Sequence, residues 1–173
     1  MVELIRAAIL TMSDKGARGE REDTAGAAIR EMLDGIGTEV VSYEIIPDEF
    51  NVIRERLLRL SDGLDADIVV TTGGTGVSPR DVTPEATKSV ITRELPGMAE
   101  AMRAESLKKT PNAMISRAVC GIRGTTLIIN LPGSERAVRE NLSVLLPAIP
   151  HAVEKIRGGT ADCGRIRLQT GGK

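Results

Sequence analysis

A three-layer α/β fold, with a doubly wound and mostly parallel sheet flanked by helices, is predicted by three features of the sequence. Short apolar runs rich in β-branched residues alternate with helical patterns along the chain. The run at residues 66–72 (ADIVVTT) is apolar on both faces, which suits a parallel strand covered on each side. Several runs end in a loop of Gly, Pro, Ser or Asp residues, at the strand carboxyl ends where such sheets bind ligands.

Residues 4–12 form the first strand, ending at Ser13, Asp14 and Gly16. Residues 13–22 are a charged, glycine-bearing loop, and Asp23 or Thr24 caps a helix reaching Gly35 or Gly37. Residues 38–46 are the second strand, closed by Pro47. Phe50, Ile53, Leu57 and Leu60 recur at helical spacing over residues 49–60. After the third strand and a glycine loop, Thr83 and Pro84 open a helix as cap and first-turn proline. A helix is expected over residues 97–108, while residues 114–121 read ambiguously. Residues 125–131 are a strand. A last helical pattern spans residues 134–156, with Pro147 and Pro150 predicting a break. The chain thus reads as one domain over residues 1–158, followed by a loosely attached tail, 159–173.

Composition excludes several function classes. The only aromatic residues are Tyr43 and Phe50, and 23 basic residues face 24 acidic ones. A nucleic-acid partner is therefore not expected, since base stacking and phosphate tracking both lack their residues. No apolar run is long enough for a membrane span. Cys120 and Cys163 stand far apart, and the single histidine is His151, so no zinc cluster or disulfide framework is expected. A reducing cytoplasm fits this cysteine usage. His151, near the end of a helical pattern, reads as an ordinary surface or core residue.

The loop with most chemical potential is TTGGTGVSPRDVTP, residues 71–84. Gly73, Gly74 and Gly76 permit close backbone approach to a ligand, with N–H groups available for phosphate, and Thr75 and Ser78 add hydroxyls. Neither the P-loop pattern nor G-x-G-x-x-G fits it. Asp81 reads either as a turn or capping aspartate or as a Mg²⁺-binding or nucleophile-orienting carboxylate. Asp48 reads either as the cap of the helix beginning at Glu49 or as a second metal-site carboxylate. Pro132, Gly133 and Ser134 form a strand-to-helix turn with backbone donors. Ser13 with Asp14 is a weaker candidate, and pattern alone gives Ser116 and Arg117 no role.

Six segments in order, LTMSDKG, IIPDE, TTGGTGVSPRDVTPEAT, ELPGMAEAMRAESL, SRAVCGIRG and LIINLPG, together resemble the molybdenum-cofactor biosynthesis family of MogA/MoaB type. With the flanking helices the resemblance runs to about Arg157. It implies a molybdopterin-binding α/β domain that assembles as a homotrimer. The implied activity is transfer of an adenylyl group from Mg-ATP to the terminal phosphate of molybdopterin, releasing pyrophosphate. Carried over by motif, Gly73, Gly74, Thr75 and Gly76 would line the nucleotide and pterin pocket. Asp48 and Asp81 would act in catalysis through Mg²⁺, and Ser116 and Arg117 would lie near the pterin phosphate. Ser13, Asp14, Pro132, Gly133 and Ser134 would complete the rim. Product would pass to a molybdenum-insertion protein. The family often has proline two residues after the LPG glycine, where this chain has Glu135, an acid placed favourably in a first helical turn. A non-catalytic carrier or scaffold of the same pathway and a nucleotide hydrolase on the same domain remain open readings of the residues.

Overall fold

The computed structural model describes residues 4–160, and a six-stranded sheet runs through them in the order β2-β1-β3-β6-β5-β4. The chain order is β1 (Ile5–Met12), α1 (Asp14–Ala17), α2 (Thr24–Asp34), β2 (Thr38–Ile46), α3 (Phe50–Leu58), β3 (Ile68–Thr72) and α4 (Thr83–Lys88). There follow β4 (Arg93–Glu94), α5 (Pro96–Leu107), β5 (Cys120–Arg123), β6 (Thr126–Leu131), α6 (Glu135–Leu145) and α7 (Ile149–Ile156). The β2, β1, β3 and β6 strands pair in parallel, while β5 and β4 add an antiparallel edge.

The side-chain alternation of the central strands sorts the core into two halves. Ile9, Ile68, Val70, Leu127 and Ile129 face α2, α5, α6 and α7 through Ile29, Leu33, Met102, Leu142 and Val153. Ala8, Leu10, Val69 and Ile128 face α3 and α4 through Ile53, Leu57 and Ala86. Burial on both faces is why these strands read as unbroken apolar runs. The predicted three-layer, mostly parallel architecture is thereby borne out.

Several boundaries differ from the sequence expectation, each for a local reason. Two strands went unread: β4 is only two residues long, and β5 lies partly within the ambiguous stretch, after a 3₁₀ turn at Pro111–Ile115. The expected charged loop after β1 begins with the short α1, capped by Ser13 Oγ accepting from the Gly16 N–H. Thr83 does not cap α4, because Val82 holds that position and the Thr83 hydroxyl instead donates to the Gly73 carbonyl at 3.0 Å. Asp23 does cap α2, accepting from the Gly26 N–H. The last helical pattern divides into α6 and α7 around Pro147, as its prolines predict. Most of the expected tail, residues 161–173, lies outside the described residues.

Candidate functional site

The loops leaving β1, β2, β3 and β6 converge at the carboxyl edge of the sheet and are stitched to one another. The Ser13 N–H donates to the Ile46 carbonyl at 2.9 Å, and the Gly73 N–H to the Leu131 carbonyl at 3.2 Å. The Thr72 hydroxyl donates to the Pro132 carbonyl at 2.6 Å. Every predicted loop thus arrives at one place.

Gly73 and Gly74 take φ values of +95° and +63°, in the left-handed region that disfavours a side chain. A Cβ on Gly73 would fall 2.3 Å from the Met12 carbonyl oxygen, and one on Gly74 2.4 Å from Thr83 Oγ1. The turn is held from beneath by Thr83, whose N–H also donates to the Gly74 carbonyl at 3.2 Å. Within the described residues, the amides of Gly74, Thr75, Gly76, Gly133 and Ser134 have no hydrogen-bond partner. Such a set of uncommitted N–H donors suits an anion.

Two clefts meet at this loop. The first, about 420 Å³, is lined by Ser13, Asp23, Asp48, Gly73 and Ser134 among others. The second, about 400 Å³, is lined by Thr75, Gly76, Ser116, Pro132 and by Arg103, Ser106 and Asn141 of α5 and α6. Gly74, Asp81 and Gly133 belong to both walls. The predicted residues are therefore brought together, and all but Asp14 and Arg117 line one cleft or the other.

Asp48 is not a helix cap: Glu49 precedes α3, with no side-chain cap bond. Asp48 instead exchanges hydrogen bonds with Asp14. The Asp14 N–H donates to Asp48 Oδ2 at 2.9 Å, and the Asp48 N–H donates to Asp14 Oδ1 at 3.1 Å. Burial raises the Asp48 carboxyl above its usual range, and the negative charges of Asp14 and Asp81 add to the rise. Asp14 is lowered, chiefly by its hydrogen bonds from Arg80. Asp81 is not a helix cap either. Its Oδ2 accepts from the Ser78 N–H at 2.9 Å, closing the turn that carries it. Within the described residues, Asp48 Oδ1 and Asp81 Oδ1 accept no hydrogen bond.

The donor set tests the expected Mg²⁺. No group of three or more His, Cys, Asp or Glu side chains poised for a metal occurs among the described residues. Two carboxylates with uncommitted oxygens fit Mg²⁺ in its usual protein setting, where substrate phosphates and waters fill the remaining positions. A desolvated carboxylate among negative neighbours also gains from a cation.

Arg117 lines neither cleft. Its guanidinium donates to the Gly76 carbonyl at 2.6 Å and the Asp81 carbonyl at 2.5 Å, and pairs with Glu85. It braces the outside of the glycine loop. Ser116 does face the second cleft. His151 lies 3.7 Å from Glu154 on the exposed face of α7, beside Ile5 and Gly37 at the opposite end of the sheet, as its ordinary reading anticipates. The α5 and α6 contributions went unread, although one signal existed. Asn141 lies on the apolar stripe of Val138, Leu142 and Leu145, and a buried amide there needs partners, here Ser106 and the Ala137 carbonyl. Among the described residues no helix is long and apolar enough to cross a membrane.

A family model described as a probable molybdopterin binding domain matches residues 8–151. A molybdopterin adenylyltransferase of Helicobacter pylori (strain J99) is 45% identical to this chain over 170 residues, covering 97% of each. The molybdopterin adenylyltransferase of Escherichia coli (strain K12) is 41% identical over 140 residues, covering 80% of this chain and 72% of its own. Among solved structures, the molybdopterin biosynthesis enzyme MoaB of Thermus thermophilus superposes with a TM-score of 0.85 at 52% identity, covering 90% of this chain and 98% of that one.

Proposed function

This chain belongs to the molybdopterin-binding family of molybdenum-cofactor biosynthesis, and from that premise we propose that it is a molybdopterin adenylyltransferase using Mg-ATP. One observation carries the reading: two clefts of similar size share the wall formed by Gly74, Asp81 and Gly133. Group transfer between two substrates needs two seats with one meeting point. The relatives named as adenylyltransferases, at 41–45% identity over most of the chain, support the same chemistry.

In this reading an oxygen of the molybdopterin terminal phosphate attacks the α-phosphorus of ATP. A new P–O bond forms, the bond to the β-phosphate breaks, and pyrophosphate leaves. Such transfer depends on positioning and electrostatic stabilisation more than on covalent help. The open amides of residues 74–76 and 133–134 would receive phosphate oxygens. Asp48 and Asp81 would hold Mg²⁺, which when bound neutralises charge on the phosphates. Arg117 would keep the glycine loop in shape from behind. The family resemblance further supports a cytoplasmic homotrimer that passes its product to a molybdenum-insertion protein.

The test uses purified protein, molybdopterin, Mg²⁺ and ATP labelled at the α-phosphate. Label is expected to move onto the pterin in the native protein and not in Asp81→Ala. Tight pterin binding without transfer would replace the enzyme reading with that of a carrier.

A further inference from the structure

The loop that bears Asp81 also bears Arg80, whose guanidinium reaches the loop that follows β1. Its Nε donates to Asp14 Oδ2 at 3.1 Å, and its Nη2 to Oδ1 and Oδ2 at 2.8 and 2.9 Å. Asp14 in turn holds Asp48 by the exchanged backbone bonds already described. Arg80, Asp14 and Asp48 therefore form one chain across the loops that follow β3, β1 and β2.

We infer that Arg80 is a phosphate-binding residue of this site, held by Asp14 until the nucleotide polyphosphate takes it over. The inference rests on the nucleotidyl-transfer reading.

Three observations carry it. First, a polyphosphate entering the first cleft meets the carboxylates of Glu22, Asp23, Asp48 and Asp81 against one lining cation, Arg21, so it gains from a further cation beside Asp48. Second, two other arginines near the glycine loop are committed elsewhere. Arg117 is spent on the carbonyls of Gly76 and Asp81, and Arg103 on that of Ala118 at 3.1 Å. Third, the Arg80 grip is weak enough to exchange. The side chains of Arg80 and Asp14 are 56% and 32% exposed, and pairs this open contribute little. The same fork on a doubly charged phosphate within a cleft binds more strongly. A structural pair looks different, as Arg157 shows by gripping Asp67, whose side chain is only 10% exposed.

The test is calorimetric binding of Mg-ATP, without pterin, to the native protein, Arg80→Ala, Asp14→Asn and the double variant. Arg80→Ala is expected to weaken binding about 10- to 100-fold, the range for losing a charge-assisted fork. Asp14→Asn is expected to tighten it about 3- to 10-fold by removing the competitor, and to change it less than about 2-fold when Arg80 is already alanine, as coupled residues require. Binding to Arg80→Ala within about 2-fold of native would overturn the inference, as would equal tightening by Asp14→Asn in both backgrounds, a bare charge effect. Should Arg80→Ala unfold, Arg80→Lys carries the test, since it keeps the charge and loses the fork. A native protein that binds no ATP would remove the adenylyl-transfer reading and this inference together. ATP binding that ignores Arg80 would remove this inference alone.

Discussion

Replacing Gly73 with alanine isolates what the glycine loop requires, provided it is compared with Gly37→Ala. Both glycines have positive φ, +95° and +74°. An alanine at Gly37 would meet nothing within 4 Å, whereas at Gly73 its Cβ would lie 2.3 Å from the Met12 carbonyl oxygen. Gly37→Ala therefore reports backbone strain alone, about 1–2 kcal/mol. Gly73→Ala adds an overpacking cost of about 1–3 kcal/mol, because the colliding atom is backbone of a buried central strand and cannot rotate away. The totals are about 1–2 against about 2–5 kcal/mol, or melting-temperature losses of about 2–8 °C against about 4–20 °C at this chain length. Urea unfolding of both variants, with m-values checked for constancy, measures the difference. Equal losses would refute the claim that contact with β1, and not φ alone, makes glycine necessary here.

Two further outcomes follow from the site. Asp48 has its carboxyl raised by burial, so the folded state binds that proton more readily than the unfolded chain does. Stability then falls as pH rises from the ordinary carboxylate range through the raised value, and stays lower above it. Asp48→Asn keeps the acceptor for the Asp14 N–H without the charge. It should melt above the native protein at neutral pH, with the gap closing toward about pH 4, while adenylyl transfer drops by about 100-fold or more; a variant less stable at neutral pH would contradict the burial argument. Asn130 is fully buried, donating to the hydroxyls of Thr71 and Thr87 at 3.0 and 2.9 Å and accepting from the Val119 N–H at 3.3 Å. Asn130→Ala should cost about 2–4 kcal/mol in chemical denaturation, from lost packing and the stranded amide, and a loss under about 1 kcal/mol would show that the network relaxes around the gap.

The parts of this molecule that sequence displays are those with a repeating physical constraint. β1 and β3 announced themselves because both their faces are buried, and α6 because its apolar residues recur at helical spacing. β4 gave no signal, since two exposed residues, Arg93 and Glu94, show no periodicity. At the site, glycine, proline and acid residues marked the four loops that converge. What could not be read was the direction of side chains within them. Arg117 lies next to Ser116 in sequence, yet it turns outward to brace the loop while Ser116 faces the second cleft. Asp48 occupies a position where a cap is common, but the Asp14 amide offers it a tertiary partner. The second cleft was hidden for a further reason: its α5 and α6 residues are ordinary helical polar groups until α5 packs beside α6.

The parallel pairing that brings the loops together also governs when they can meet. Ala7 aligns with Ile68, and Ile68 with Leu127, so both ladders that flank the glycine loop join residues some sixty positions apart. Such registers close only after long stretches of chain have been ordered, which makes folding slow compared with a helical protein of similar size. The glycine loop takes its shape from Met12 on one side and Leu131 on the other, and so it has no template until both neighbouring strands have docked. During refolding, helix signal should therefore return before ligand binding does. Binding competence should appear in a single late step, together with the slowest-exchanging amides of β1, β3 and β6.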